Sequence, residues 1–166
     1  MRQYLDQGYV PHPRPADVPV NWRIGVYALV ERDGKILMVD QIVSAGPGLT
    51  LPGGGVEVER EETILEGSVR EVYEETGYRL TPDPGSLRYI EDFFIRSPSG
   101  NYYHAVAFLV HGTVSDAPDP AWRQDHSEII EVRWADPADL TASDVRRLHW
   151  DLLMRLGHVA PDGGAP

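Results

Sequence analysis

The segment REVYEETG, residues 70–77, carries three glutamates within five positions: Glu71, Glu74 and Glu75. Residues three and four positions apart on an α-helix share a face, so these carboxylates project together if the segment is helical. Like charges at this spacing repel one another by a few tenths of a kcal/mol per pair. Such a cluster is either a solvated helix surface or a site that binds a cation.

The boundaries of this helix are marked by local signals. Thr63 followed by Glu66 has the pattern of a capping box, and Gly77 stands where a helix often ends in a left-handed residue. Four apolar residues lie roughly opposite the glutamates on a helical projection: Leu65, Val69, Val72 and Tyr73. We therefore expect the apolar face to pack against the core and the carboxylate face to point outward.

Three consecutive glycines precede the helix in LPGGG, residues 51–55. Glycine lets the backbone turn sharply and approach a ligand closely, and its carbonyl oxygen can join a metal site. The chain has no cysteine, which excludes thiolate ligands and disulfides. Oxygen ligands alone favour Mg²⁺ or Mn²⁺ over zinc.

The glycines, Glu62 and REVYEETGY together resemble the Nudix box, and from Glu62 to Gly77 the match is complete. Two features depart from the family's pattern. The seven residues between Gly54 and Glu62 are more than the box has, which implies an insertion around VEVERE, and Tyr78 stands where the family has an aliphatic residue.

The resemblance implies a divalent-metal site. Glu71, Glu74 and Glu75 look like its ligands, and the carbonyl of Gly54 is the expected backbone ligand. The implied cofactor is Mg²⁺ or Mn²⁺.

The resemblance also implies a positioning pair and a base. Arg70 and Glu62 look like the pair that orients the helix and its preceding loop. Several family members take the general base from a loop before the last strand, where this chain has Glu128, with Glu131 and Asp125 as alternatives.

The implied architecture is an α+β Nudix fold, an α/β/α sandwich whose mixed, largely antiparallel sheet lies between helices. Segments rich in β-branched and apolar residues, and the turn residues between them, predict strands at 22–31, 35–43, 87–96, 101–114 and 128–135, with a tight Asp-Gly turn between the first two. Helical spacing predicts a second helix within residues 142–157.

Three regions are expected along the chain. The proline-rich residues 1–20 predict an extended arm, anchored through Tyr4 and Tyr9 on the body or on a second subunit, which leaves a homodimer open. Residues 21–159 form the Nudix domain, and residues 160–166 a disordered tail.

Composition narrows the class of protein. The 166 residues are 42% apolar and 25% charged, as in a globular domain, and the net charge of −11 opposes binding to nucleic acid. Nothing resembles a signal peptide or a membrane span, so a cytoplasmic protein is expected. A phosphate substrate would need a cation to offset repulsion by the carboxylates.

The resemblance implies hydrolysis of a nucleoside diphosphate linked to another moiety. Nucleoside di- or triphosphates are the leading expectation for the substrate, and ADP-ribose or nucleotide sugars are the alternative, since the chain lacks the downstream proline typical of the ADP-ribose branch. A non-catalytic module that binds nucleotides, or an interaction domain acting through the arm, is the competing class. Stacking on a base is open to several aromatic residues: Trp22, Tyr27, Phe93, Phe94, Tyr102 and Tyr103.

Overall fold

The computed structural model describes residues 3–6, 9–43, 46–124 and 128–160. These residues form two helices, α1 (Ile64–Thr76) and α2 (Arg147–Arg155). They also form ten strands: β1 (Gln3–Leu5), β2 (Pro11–Pro13), β3 (Val20–Arg32), β4 (Lys35–Val43), β5 (Gly46–Thr50), β6 (Gly53–Gly55), β7 (Leu80–Pro82), β8 (Arg88–Arg96), β9 (Tyr102–Val114) and β10 (Ile129–Ala135). No helix among them is long and apolar enough to cross a membrane.

The sheet is mixed, as predicted, and its main path runs in the order β10-β4-β3-β9-β8-β1-β2. The central pair β3 and β9 is parallel, while β8 with β9, β3 with β4, and β4 with β10 are antiparallel. The predicted Asp-Gly turn is confirmed: Asp33 and Gly34 both have positive φ, 52° and 73°, and connect β3 to β4.

Strand β3 separates two apolar cores because its side chains alternate between the faces of the sheet. Val26 and Ala28 pack with Val72 of α1 on one face. Leu29 packs with Leu153 of α2 on the other face. Helices therefore cover both faces, which confirms the α+β Nudix architecture.

Helix α2 begins later than the predicted 142–157, at Arg147. The preceding residues form other contacts: Thr141 donates its backbone N–H to Asp144, and Val145 forms a β-bridge with Leu49. The bridge needs extended backbone, so the helical spacing of Val145 was misleading.

The N-terminal arm forms a short hairpin of β1 and β2, and Leu5 pairs with Ile95 at the edge of the main sheet. Tyr4 is buried and contacts the rings of Phe94 and Tyr102 edge-on, at centroid distances of 5.3 and 5.0 Å. The body of its own chain thus anchors Tyr4. Residues 161–166, nearly all of the expected tail, lie outside the described residues.

Candidate active site

The bounds of α1 confirm the capping prediction. Thr63 Oγ1 accepts from the N–H of Glu66, while Glu66 accepts from the N–H of Thr63 at 2.9 Å. Gly77 ends the helix with a φ of 74°, and its N–H donates to Tyr73. Local interactions of the residues at its ends therefore fix where the helix starts and stops.

The predicted outward orientation of the carboxylates is wrong. Glu75 is 7% exposed and the side chain of Glu71 is 14% exposed, whereas the apolar Val69 is 36% exposed. Glu71 and Glu75 continue the helix face of Gly67, Ser68 and Val72, which packs on the sheet. Two of the three carboxylates lie between the helix and the strands.

Gly54 provides the room for one of them. A β-carbon built on Gly54 would lie 2.6 Å from Oε1 and 2.7 Å from Oε2 of Glu71, closer than van der Waals contact allows. The carboxylate of Glu71 therefore occupies the space that any other side chain at position 54 would fill.

The carbonyl of Gly54, the predicted backbone ligand, faces strand β3 and not helix α1. Strand β6 pairs antiparallel with β3, and Gly54 lies opposite Val26. Ala28 donates its N–H to Pro52 two positions along, and hydrogen-bonded pairs recur at every second position of an antiparallel ladder. The carbonyl of Gly54 therefore faces Val26 in the sheet.

The backbone groups of Gly53 and Gly55 face the opposite way, toward α1. The N–H of Gly53 donates to Glu75 Oε2 at 2.9 Å. The carbonyl of Gly55 accepts from Arg70 Nη2 at 2.7 Å. These two glycines join the short strand to the helix through polar contacts.

Arg70 is the centre of the ionic network, as the predicted pairing with Glu62 requires. Its Nε and Nη2 donate to the two oxygens of Glu62 at 2.7 and 3.0 Å. Nη1 donates to Glu74 at 2.9 Å and lies 3.1 Å from Glu71 Oε1. The hydrogen bonds to Glu62 are the main reason that the pKa of Arg70 is raised.

The insertion before Glu62 is accommodated in a turn of 3₁₀-helix, Val58–Arg60, followed by Glu61 with a φ of 58°. Glu62 Oε2 also accepts from the N–H of Glu57 at 2.8 Å, so this carboxylate closes the loop. The Arg70 hydrogen bond lowers the pKa of Glu62. The extra residues leave the Arg70 pair intact.

Glu75 is the most deeply buried of the three glutamates. Its Oε1 accepts from Gln41 Nε2 at 2.7 Å. Burial raises the pKa of Glu75 to about 8; the charges of Glu71 and Glu74 also raise it, and the hydrogen bonds from Gly53 and Gln41 oppose the rise. Negative charge is therefore in excess around this helix.

Among the described residues, no three carboxylate or imidazole side chains already converge as a cation site. Protein donors hold the glutamates instead: Arg70 binds Glu74, and Gly53 and Gln41 bind Glu75. The site nevertheless suits a hard cation, because its donors are all oxygens and their negative charge is incompletely offset by the shared Arg70.

Glu128 precedes β10, and its carbonyl accepts from the N–H of Ile42 at 2.7 Å. The next residue, Ile129, pairs with Gln41, whose side chain binds Glu75. The Glu128 side chain is exposed and makes no hydrogen bond or ion pair with the other described residues. Its backbone is thus near the site, but its carboxylate is not brought into contact with the other glutamates.

Of the two alternative bases, the structure describes one, Glu131. Glu131 is exposed on β10 opposite Asp40. Asp125 lies outside the described residues, as do residues 126 and 127.

Two residues near the glutamates were missed by the sequence reasoning. Gln41 lies 34 positions before its partner Glu75, and no local pattern connects them. Arg23 lies beside Gly55, with its Nη2 3.1 Å from the position of a β-carbon on that glycine. The only signal at Gln41 is that it is a polar residue near the end of a predicted buried strand.

Comparison with known proteins agrees with the fold and the helix. The family model described as NUDIX domain matches residues 21–156. The chain belongs to the Nudix family. The family match and a curated relative named as a pyrophosphatase support a pyrophosphohydrolase.

A curated relative and two solved structures are similar to the chain. An ADP-ribose pyrophosphatase of Methanocaldococcus jannaschii is 32% identical over 128 residues, which are 67% of this chain and 73% of the relative. A Nudix hydrolase from Nitrosomonas europaea has a TM-score of 0.62 at 26% identity, covering 82% of this chain and 88% of that one. A MutT Nudix hydrolase from Burkholderia pseudomallei has a TM-score of 0.58 at 23% identity, covering 81% and 97%, and supports the fold alone.

Proposed function

We propose that the protein hydrolyses the pyrophosphate bond of a nucleoside diphosphate linked to a sugar, of the ADP-ribose kind, with a divalent cation. The placement of Glu71 and Glu75 against the glycine strand carries the catalytic part of this proposal. The similarity to a relative named ADP-ribose pyrophosphatase supports the substrate class. The leading expectation from the sequence, nucleoside di- or triphosphates, stays a prediction. The turnover assay below compares nucleoside triphosphates with ADP-ribose.

The cation-binding set consists of Glu71, Glu74 and Glu75 with the carbonyl of Gly53. Gly53 replaces Gly54 because the N–H and C=O of one strand residue point to the same side, and the Gly53 N–H points toward Glu75. When Mg²⁺ or Mn²⁺ is bound, it neutralises phosphate oxygens and lowers the pKa of a bound water.

The chain's own residues supply the positioning. Arg70 and Glu62 hold α1 in register with β6, and Gln41 with the Gly53 N–H fixes the carboxylate of Glu75. Because these donors and acceptors are already oriented, the site does not have to reorganise when charge develops in the transition state. Water attacks one phosphorus atom, the bridging P–O bond breaks, and a nucleoside monophosphate and a sugar phosphate leave.

Glu128 remains the candidate for the group that accepts the proton of this water. Its backbone lies beside β4 at the site, and its exposed side chain makes no hydrogen bond or ion pair with the other described residues. A Glu128→Gln variant whose pH–rate profile matches that of the wild type would remove it from the mechanism.

The direct test is turnover of ADP-ribose, other nucleotide sugars and nucleoside triphosphates in Mg²⁺ and in Mn²⁺. ADP-ribose should give the highest kcat/KM and yield AMP and ribose 5-phosphate. Turnover confined to nucleoside triphosphates would overturn the substrate class. Absence of turnover with every compound would favour a module that binds nucleotides.

A matched pair of variants tests the glutamates. Glu75→Gln should lower kcat by about two orders of magnitude or more. A bound cation stabilises the transition state by several kcal/mol, and each 1.36 kcal/mol that is lost lowers the rate about tenfold. Its Tm is measured as well, since the amide NH2 cannot accept from Gly53 or Gln41 and leaves one of these donors without an acceptor. Glu59→Gln, on the exposed insertion loop, should retain wild-type kcat; near-normal activity of Glu75→Gln would contradict the ligand set.

A further inference from the structure

A positively charged side chain that the proposed mechanism has not used, Arg23, lies beside the glycine strand β6. Arg70 is bound to Glu62, Glu74 and the carbonyl of Gly55. Arg23 is exposed on β3 and makes no hydrogen bond or ion pair with the described residues. In a chain with a net charge of −11, an exposed guanidinium beside the glycine strand can attract an anion to a surface that otherwise repels it.

The position of Arg23 relates it directly to the glycine strand. Its Nη2 and Cζ lie 3.1 and 3.5 Å from the position of a β-carbon on Gly55, so the guanidinium lies over that glycine. Gly53 and Gly54, in the same strand, contact Glu75 and Glu71. Arg23 of β3 therefore lies beside the last residue of β6, whose other two residues contact the carboxylates.

Two glycines that pair across β3 and β6, Gly25 and Gly55, lie next to the guanidinium. Arg23, Gly25 and Tyr27 alternate onto one face of β3, and Gly25 pairs with Gly55. A β-carbon on Gly25 would meet nothing nearer than the Gly54 carbonyl at 3.6 Å and the Tyr27 ring at 4.0 Å. Between the guanidinium and the tyrosine ring, a ligand can approach the backbone of the two paired glycines.

We propose that Arg23 and the Gly25–Gly55 patch form a subsite for a phosphate group of the substrate. This inference rests on the proposed function. It assigns the binding of a substrate phosphate to a residue other than the glutamates. The planar guanidinium presents donors in a fork that matches two oxygens of one phosphate, which an ammonium group cannot do. An arginine that merely keeps the surface solvated would contribute nothing to such binding.

The test is equilibrium binding of methylenediphosphonate, which has the charge of a diphosphate and a bridge that resists hydrolysis. Calorimetry in Mg²⁺ compares the wild type with Arg23→Ala and Arg23→Lys. We expect Arg23→Ala to weaken binding about tenfold or more, since a hydrogen bond between charged groups has that effect on affinity. Arg23→Lys should recover part of the loss through its charge alone.

Arg88→Ala is the matched control, because Arg88 is also exposed and lies at the start of β8. It should bind the probe like the wild type, and all variants should keep the wild-type Tm. Equal affinity of wild type and Arg23→Ala, an equal loss in Arg88→Ala, or no binding by the wild type would each overturn the subsite.

Kinetics separate this proposal from the proposed function. On whichever compound is hydrolysed, Arg23→Ala should raise KM more than it lowers kcat. Because methylenediphosphonate has neither base nor sugar, its binding reports on Arg23 even if ADP-ribose proves not to be the substrate. Binding that depends on Arg23 without turnover would uphold the subsite and reject the enzyme assignment.

Discussion

The carboxylate of Glu71 lies between β6 and α1, in the volume that a side chain at position 54 would need. The carboxylate oxygens of Glu71 lie within 2.7 Å of the position of a β-carbon on Gly54, and both groups cannot be present without a shift of helix or strand. Glycine at this position is thus a condition for an inward carboxylate. The residue predicted as a carbonyl ligand contributes through its missing side chain.

Gly54→Ala should lower kcat by an order of magnitude or more, because the methyl group displaces the Glu71 carboxylate, and misplacement by about 1 Å can reduce a rate about 100-fold. Gly85→Ala is the control: its β-carbon would meet only the flexible end of Asp83, at 3.3 Å, on a turn away from the site. Steady-state kinetics with measured Tm values checks both. Unchanged kcat in Gly54→Ala would contradict the steric role.

At the scale of elements, α1 is fixed at both ends and tied to a strand through its middle. The capping box holds its start, Gly77 ends it, and Arg70 joins it to the carbonyl of Gly55. The indole of Trp122 donates to the carbonyl of Glu74 at 3.1 Å and covers the end of the helix. The carboxylates are therefore presented from a rigid element, although their mutual repulsion opposes the helix.

Thr63→Ala should reduce the free energy of unfolding by about 1 kcal/mol, since it removes the oxygen that accepts from Glu66. Thr63→Ser keeps that oxygen and should lose much less. Urea unfolding followed by circular dichroism measures the difference. Equal losses in the two variants would assign the effect to the methyl group and contradict the capping role.

At the scale of the whole molecule, His149 of α2 ties the second helix to the strand that leads into the site. Its Nδ1 accepts from the N–H of Leu51 at 3.3 Å, and Tyr27 contacts it edge-on at 4.7 Å. Burial, together with the charge of Arg146, lowers the pKa of His149 from 6.5 to about 3. Between these two pKa values, the imidazole is neutral in the folded protein and protonated in the unfolded chain.

The stability due to neutral His149 is fully present above the unfolded pKa of 6.5 and is lost as the pH falls toward about 3. His149→Gln retains an acceptor for Leu51 but does not titrate. Between about pH 7.5 and pH 5, the free energy of unfolding should fall by about 2 kcal/mol more in the wild type than in His149→Gln. Denaturant titrations at the two pH values measure this difference, and parallel pH dependence would contradict a neutral buried imidazole.

The sequence predicted the features that depend on neighbours along the chain. The capping box spans Thr63 to Glu66, the hairpin turn is Asp33 and Gly34, and Glu62 lies eight positions before Arg70. Interactions at such short separations leave a readable pattern. The late start of α2 escaped prediction because Val145 suits both a helix and a bridge to β5.

The sequence by itself determined the helix, its charged segment and the family. Only the tertiary structure decided that Glu71 and Glu75 face the sheet, and that Gly54 offers space while Gly53 and Gly55 offer polar groups. Helical periodicity shows which residues share a face, but the packing partner decides which face is buried. The pairing of β6 with β3 likewise sets the direction of each glycine carbonyl, because one step in register reverses it.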